Sequence, residues 1–290
     1  MADQLARTFV RTRDRRHLPV AAALVGRTEA EAAALLLGRD VVLEWPASCE
    51  NSAPGRTLVL TTANLVARFC PRLRLPRESD LGHEVARLVT AIDSSALPFA
   101  SALPDALRLH LGGGPNSADV AGSANGWTGY ASRGQELPSL TDEANPIGAH
   151  LAGAMVAACA FAKLLQLEPE MGWAWRDGWS AFDFGVSALA VALPRRIQLQ
   201  ADVVLVGAGA VGQAIVDVLV SAGVSGELRV IDFGRADDAA HFADFATLVR
   251  RNSPPCFASF RRVLGGRASG RRRASIHPLI LTSLQLRLSA

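Results

Sequence analysis

Between positions 203 and 232 the chain passes from a short apolar segment, Val203-Val204-Leu205-Val206, through Gly207, Gly209 and Gly212 at the spacing G-x-G-x-x-G. An apolar-periodic stretch follows, and then a second β-branched segment that ends in Asp232. Few folds satisfy that order. The apolar run is short and β-branched enough for a strand buried on both faces. The first glycine permits a tight turn, the second lets the backbone approach a phosphate, and the third lets a helix pack close to the strand. The spacing predicts a helix over 211–221 with Ile215, Val218, Leu219 and Ala222 on its apolar side and Gly223 as its stop. A strand over 227–231 would then present Asp232, a carboxylate placed to accept the hydroxyls of a ribose. The expected unit is β-α-β, with the helix N-terminus and its free N–H groups directed at an anion. The fold class is therefore α/β, a Rossmann-like βαβ unit on the C-terminal side, and the expected activity is nucleotide binding by Gly207, Gly209, Gly212 and Asp232.

The passage Gly223-Val224-Ser225-Gly226-Glu227-Leu228-Arg229-Val230-Ile231-Asp232-Phe233 resembles the ThiF-like superfamily, the adenylating enzymes that activate ubiquitin-like and sulfur-carrier proteins. A second resemblance lies upstream, where Asn145-Pro146-Ile147-Gly148 opens an alanine-rich stretch closing on Phe161-Ala162-Lys163-Leu164-Leu165. It is similar to a small-residue helix that packs in such adenylation domains. The resemblance implies ATP with Mg²⁺ as cofactor, a ubiquitin-like or sulfur-carrier protein as partner, and adenylation of that partner's C-terminus.

Only Gly207, Gly209, Gly212 and Asp232 match the family pattern. The family places a second acid two residues beyond the first, where this chain has Gly234, and then an arginine, where it reads His241-Phe242-Ala243-Asp244. The following lysine and the later metal-binding aspartate have no counterpart before the chain ends at Ala290, so the expectation is a truncated protein with impaired or absent catalysis. Arg235, Arg250 and Arg251 are the available substitutes for the missing cations, and the catalytic residues remain unassigned. Two alternatives stay open. The glycine segment and Asp232 also suit an NAD-dependent oxidoreductase, although His241 and His277 lie in poorly patterned sequence. A non-catalytic interaction protein, including a homodimer, is the other.

Charge divides the chain unevenly. The net charge is +3, but residues 250–290 hold nine arginines and no acid, and removing them leaves the first 249 residues at −6. Lys163 is the only lysine among 30 basic residues, a bias expected of a GC-rich coding sequence, so arginine abundance does not argue for nucleic acid. The segment 250–290 is predicted to be a disordered basic tail with a short apolar element at 279–288. A shifted reading frame would produce the same composition. Cys49, Cys70, Cys159 and Cys256 show no C-x-x-C pairing and fit neither a disulfide framework nor a zinc site; no metal site is expected, and a reducing cytoplasm is. The N-terminus lacks an apolar core of signal-peptide length. The apolar stretch 151–162, bounded by His150 and Lys163, is too short to span a bilayer.

Residues 1–196 read as an N-terminal α/β domain, degenerate and Rossmann-like, with a helical connector from about 169, before a partial nucleotide-binding unit at 197–249. Residues 1–19 are charged and expected to be poorly ordered at first. Thr28 is a helix cap ahead of Glu29 and Glu31, and Gly38 a stop. Strands are expected at 41–45, 57–64, 72–75, 107–111 and 126–131, the last aiming Trp127 inward. Helical runs are expected at 65–69, 84–92 and 147–167, the last with a small-residue face of Gly148, Ala152, Gly153 and Ala157. The strand-helix-strand order over 57–75 reads as a worn Rossmann-like unit without glycines. Gly112-Gly113-Gly114-Pro115 is a flexible turn rather than an anion loop, and His83, His110 and His150 lack metal-ligand spacing. Trp173, Trp175 and Trp179 read as an ordered connector, and Pro194-Arg195-Arg196 as a domain boundary.

Overall fold

The computed structural model describes residues 17–114, 117–133, 136–141, 145–167 and 178–181; further along it describes the segments 203–206, 226–232, 259–264 and 282–288, with residues 214, 215, 218, 219, 222 and 224. The chain divides into two compact units, Met1–Leu193 and Pro194–Ala290.

Unit 1 is α/β, built on a mixed six-stranded sheet in the order β2-β1-β3-β4-β5-β6. Its strands are β1 (Val41–Glu44), β2 (Leu73–Arg74), β3 (Leu107–Leu111), β4 (Val120–Asn125), β5 (Thr128–Ser132) and β6 (Trp179–Ser180). The first four run parallel, with Val41 opposite both Leu73 and Leu107, and Leu109 opposite Val120. β5 and β6 are antiparallel additions. Helices α1 (His17–Val25) and α2 (Glu29–Leu37) precede the sheet; α3 (Ala47–Glu50) and α4 (Ala53–Phe69) join β1 to β2, α5 (Asp80–Ile92) joins β2 to β3, and α6 (Ile147–Leu164) follows β5.

Local sequence sets most of these boundaries. Thr28 closes a capping box with Glu31, its hydroxyl accepting from the Glu31 N–H while the Glu31 carboxylate accepts from the Thr28 N–H at 2.9 Å. Ser79 caps α5, accepting from the Gly82 N–H at 3.1 Å, and Leu81, Val85 and Val89 form its buried stripe.

Helix α4 replaces the strand expected at 57–64. The β-branched residues Thr57, Val59, Thr61 and Thr62 favour a strand locally, but Ser52 accepts from the Gly55 N–H at 3.0 Å and Pro54 sits in the first turn. Leu58, Val59, Thr62, Ala63, Val66 and Ala67 then fall on one buried face at helical spacing. The Thr62 hydroxyl donates to the Leu58 carbonyl at 2.8 Å, so even this buried polar group is satisfied inside the helix. The strand-helix-strand unit is consequently β1-α4-β2.

Two other expectations change. Strand β4 was not legible, because Val120-Ala121-Gly122-Ser123-Ala124-Asn125 is small-residue sequence of weak strand propensity; it is a strand because it lies buried between β3 and β5. The strand expected at 126–131 begins at Thr128, and Gly126 with Trp127 forms the two-residue turn between Asn125 and Thr128. Gly126 has φ +53°, as a hairpin turn that follows strand twist requires, and Trp127 is half-buried in that turn.

Helix α6 packs against α4 and across β4 and β5. Its close approach needs missing side chains: a Cβ on Gly148 would lie 2.5 Å from the Gly126 carbonyl oxygen, and one on Gly129 would lie 2.7 Å from the Ala152 nitrogen. α6 is long and apolar enough to cross a membrane, yet Ala149, Ala152, Val156, Cys159 and Ala160 are fully buried in the core of this unit. Leu43, Leu107, Leu109 and Leu111 are fully buried beside them, each contributing about 2 kcal/mol relative to exposure.

Unit 2 carries a four-stranded sheet in the order β7-β8-β10-β9, from β7 (Val203–Val206), β8 (Gly226–Asp232), β9 (Ser259–Leu264) and β10 (Thr282–Leu288). Within 250–290, where disorder is expected apart from an apolar element at 279–288, two strands are therefore found. β10 pairs antiparallel with β8 along Thr282↔Asp232 to Leu288↔Gly226, and with β9 on its other side. The alternation Leu284-Gln285-Leu286-Arg287-Leu288 is a period-two pattern, and the ladder partner supplied by β8 gives it the hydrogen bonds that composition alone does not reveal.

Candidate functional site

The sequence-derived site lies in unit 2. β7 and β8 pair in parallel, with Val203 opposite Leu228 and Val206 opposite Ile231. Asp232 is therefore one residue past the last pair, at the carboxyl edge where β7 also ends. Gly207, Gly209 and Gly212, which continue the chain from β7, lie outside the described residues. Between the strands, residues 214–215 and 218–219 are helical, and the Ala222 N–H donates to the Val218 carbonyl at 3.0 Å. The Val224 N–H donates to the Leu219 carbonyl at 3.0 Å, a six-to-one closure that ends a helical segment. Ala222 and Val224 are buried and Val218 and Leu219 half-buried, but Ile215 is 41% exposed. Ile215 was expected on the apolar side; its exposure leaves Val218, Leu219 and Ala222 on that side among the described residues.

The other candidate positions resolve in unit 1. Gly112, Gly113 and Gly114 all have positive φ, and a Cβ on Gly113 would lie 1.9 Å from the Pro138 carbonyl oxygen. The Gly114 N–H donates to the Leu137 carbonyl, and the Leu140 N–H donates to the Gly112 carbonyl. This loop is clasped to residues 137–140. His83 stacks edge-on against Phe99, His110 Nε2 lies 3.3 Å from the Gly113 carbonyl, and His150 Nδ1 lies 3.0 Å from the Thr61 hydroxyl. No group of three metal-ligating side chains occurs among the described residues. Cys49, Cys70 and Cys159 are buried free thiols. Burial, with a smaller push from Glu50, raises the Cys49 thiol to about 12, and burial raises Cys70 to about 12 against the opposing pull of Arg72. Neither is a thiolate nucleophile near neutral pH. Trp179 is half-buried in β6 and packs on the core, whereas Trp173, Trp175, Arg235, His241, Arg250, Arg251, Cys256 and His277 lie outside the described residues.

Unit 1 also gathers residues that sequence reading did not connect. At the amino edge of its parallel strands, the buried Asp40 carboxylate accepts from Arg72 Nε and from the Leu103 N–H, both at 2.8 Å, and lies 3.3 Å from Arg74. At the opposite, carboxyl edge, Leu43, Glu44, Trp45, Pro46, Pro76, Arg77 and His110 line a cleft of about 340 Å³. Glu44, Arg77 and His110 are far apart in sequence, so no motif announces them. A correct assignment of α4 as the connection between β1 and β2 is the signal that would have brought them together.

No known family model matches the chain, and no curated protein matches it.

Proposed function

We propose that the protein binds a nucleotide at the carboxyl edge of β7 and β8, as a ThiF-like protein that uses ATP with Mg²⁺ and recognises a ubiquitin-like or sulfur-carrier partner. One observation carries the reading: the parallel register puts Asp232 at the edge from which the glycine segment leaves β7. In a Rossmann-like unit that edge is where ligands bind, with phosphates against the helix N-terminus and the ribose on the acid. Gly207, Gly209, Gly212 and Asp232 are the binding residues of this proposal.

The residues present fit binding better than catalysis. Adenylation places negative charge on a leaving pyrophosphate, and cations aimed at that charge are the main source of acceleration. Gly234 and Ala243 stand where the related enzymes carry an acid and an arginine. The protein is accordingly proposed to hold its nucleotide and carrier with weak or absent acyl-adenylate formation, in the cytoplasm, where buried free thiols such as Cys49, Cys70 and Cys159 persist.

Calorimetric titration of the full chain tests this. ATP with Mg²⁺ is expected to bind more tightly than NAD. Gly209→Val should abolish binding by filling the space a phosphate needs, and Asp232→Ala should weaken it about tenfold, the scale of a charge-assisted hydrogen bond. Tight NAD binding without ATP binding would transfer the site to a dinucleotide enzyme. Pyrophosphate exchange at the rate of an active adenylating enzyme would overturn the view that catalysis is impaired.

A further inference from the structure

We propose a second, independent ligand site in unit 1: the cleft at the carboxyl ends of β1, β2 and β3 binds a small organic anion, its apolar body against Trp45 and Pro76 and its charge on Arg77.

The position follows from topology. The chain leaves β1 toward β2 on one side of the sheet, returns through α5 to β3 on the other side of β1, and from β3 continues outward to β4. Successive connections thus depart in opposite directions from β1 and β3, which are neighbours. Loops leaving adjacent strands in opposite directions open a crevice above their carboxyl ends, the place where open parallel sheets take ligands. The cleft lies there, and its volume of about 340 Å³ admits a small molecule.

The lining selects the chemistry. Pro46 and Pro76 have no N–H, and the Trp45 Nε1–H is already donated to Glu50 Oε1 at 3.1 Å, so these residues offer apolar surface without free donors. Glu44 is also committed, because Arg108 donates to both of its carboxylate oxygens, at 2.8 and 3.0 Å. Its charge is compensated and does not repel an anion. Arg77 differs. Among the described residues its guanidinium makes no hydrogen bond; it forms a long ion pair with Glu50, at 3.8 Å, and its side chain is 53% exposed. Its N–H donors are available to a carboxylate or phosphate in the forked geometry that guanidinium favours. His110, held by its contact with the Gly113 carbonyl, completes the wall. An anion with an apolar body uses both halves of such a cleft; a bare ion uses only Arg77.

The test is titration of the intact protein with phenyl phosphate, with inorganic phosphate and benzyl alcohol as the bare anion and the bare body. Phenyl phosphate should bind saturably and shift the Trp45 indole N–H resonance, assigned with Trp45→Phe, while each half-probe binds at least about fivefold more weakly. Arg77→Gln, at an exposed position that does not hold the fold, should weaken phenyl phosphate about tenfold, and Arg77→Lys should restore part of the loss. Asp232→Ala should leave this titration unchanged, which separates it from the nucleotide site. Absence of saturable binding, equal binding of inorganic phosphate, or binding undiminished by Arg77→Gln each overturns the proposal.

Discussion

In unit 1 the parallel pair β1–β2 gains two further parallel strands, β3 and β4, before β5 and β6 turn antiparallel, whereas in unit 2 the parallel pair β7–β8 is extended at once by antiparallel β10 and β9. Each parallel addition in a sheet needs a crossover, and in unit 1 capped amphipathic helices provide it between β1, β2 and β3. After Asp232 the sequence shows no comparable cap and stripe. The place beside β8 goes instead to a strand whose first residue, Thr282, lies opposite Asp232. The arrangement differs by edge: over β1, β2 and β3 adjacent parallel strands end side by side, whereas at the candidate nucleotide edge the carboxyl ends of β7 and β8 are separated from that of β9 by the amino end of β10 at Thr282. Adjacent parallel strands deliver their carboxyl ends next to one another, which is the arrangement that opens a crevice between neighbouring loops.

The largest expected effect tests how strongly unit 1 is locked at its amino edge. Asp40→Ala strands two arginines around a buried site and should destabilise unit 1 by about 3–5 kcal/mol, measured by urea unfolding. Burial pushes the Asp40 carboxyl up, but the Arg72 hydrogen bond, the Leu103 N–H and the charges of Arg74 and Arg72 outweigh it and hold it below its ordinary value. A depressed acid stabilises the fold above its unfolded-state value, about 3.9, and the contribution is lost as pH falls through the lower folded-state value. Unit 1 should therefore lose stability on acidification below about pH 4, and Asp40→Asn should flatten that part of the profile. A wild-type slope retained in the variant would place the dependence elsewhere.

A smaller effect should appear in unit 2. Leu286→Pro removes a backbone donor from β10 between β8 and β9, and should cost about 2 kcal/mol. Hydrogen exchange is expected to speed up in β8 and β9 with no change in β1 or β3. Protection in β8 unaffected by the proline would mean that β10 contributes little to this sheet, and the comparison above would fail. The least effect belongs to Thr28→Ala, which removes the capping box of α2 and should lower stability by about 1 kcal/mol. A loss several times larger would show that the cap organises the α1–α2 corner rather than one helix end.

Sequence legibility followed the range of the interactions. The α2 cap, the strands at 41–44 and 107–111, the start of α6 at Ile147 and the parallel pair around the glycine segment were readable because each depends on spacing within a few residues. The run 57–64 misled because β-branched residues favour strands locally, while burial of Leu58, Thr62 and Val66 along one face favours a helix globally. By itself the sequence determined the α/β class and the Thr28 cap of α2, and it set the expectation of a nucleotide edge at Asp232. Only the tertiary structure decided that α4 is the crossover between β1 and β2, that β4 is a strand, that β10 pairs beside β8, and that Trp45, Arg77 and His110 share a cleft. Those outcomes depend on which distant segment occupies the neighbouring strand position, and the hydrogen bonds and burial gained there are absent from any local window of sequence.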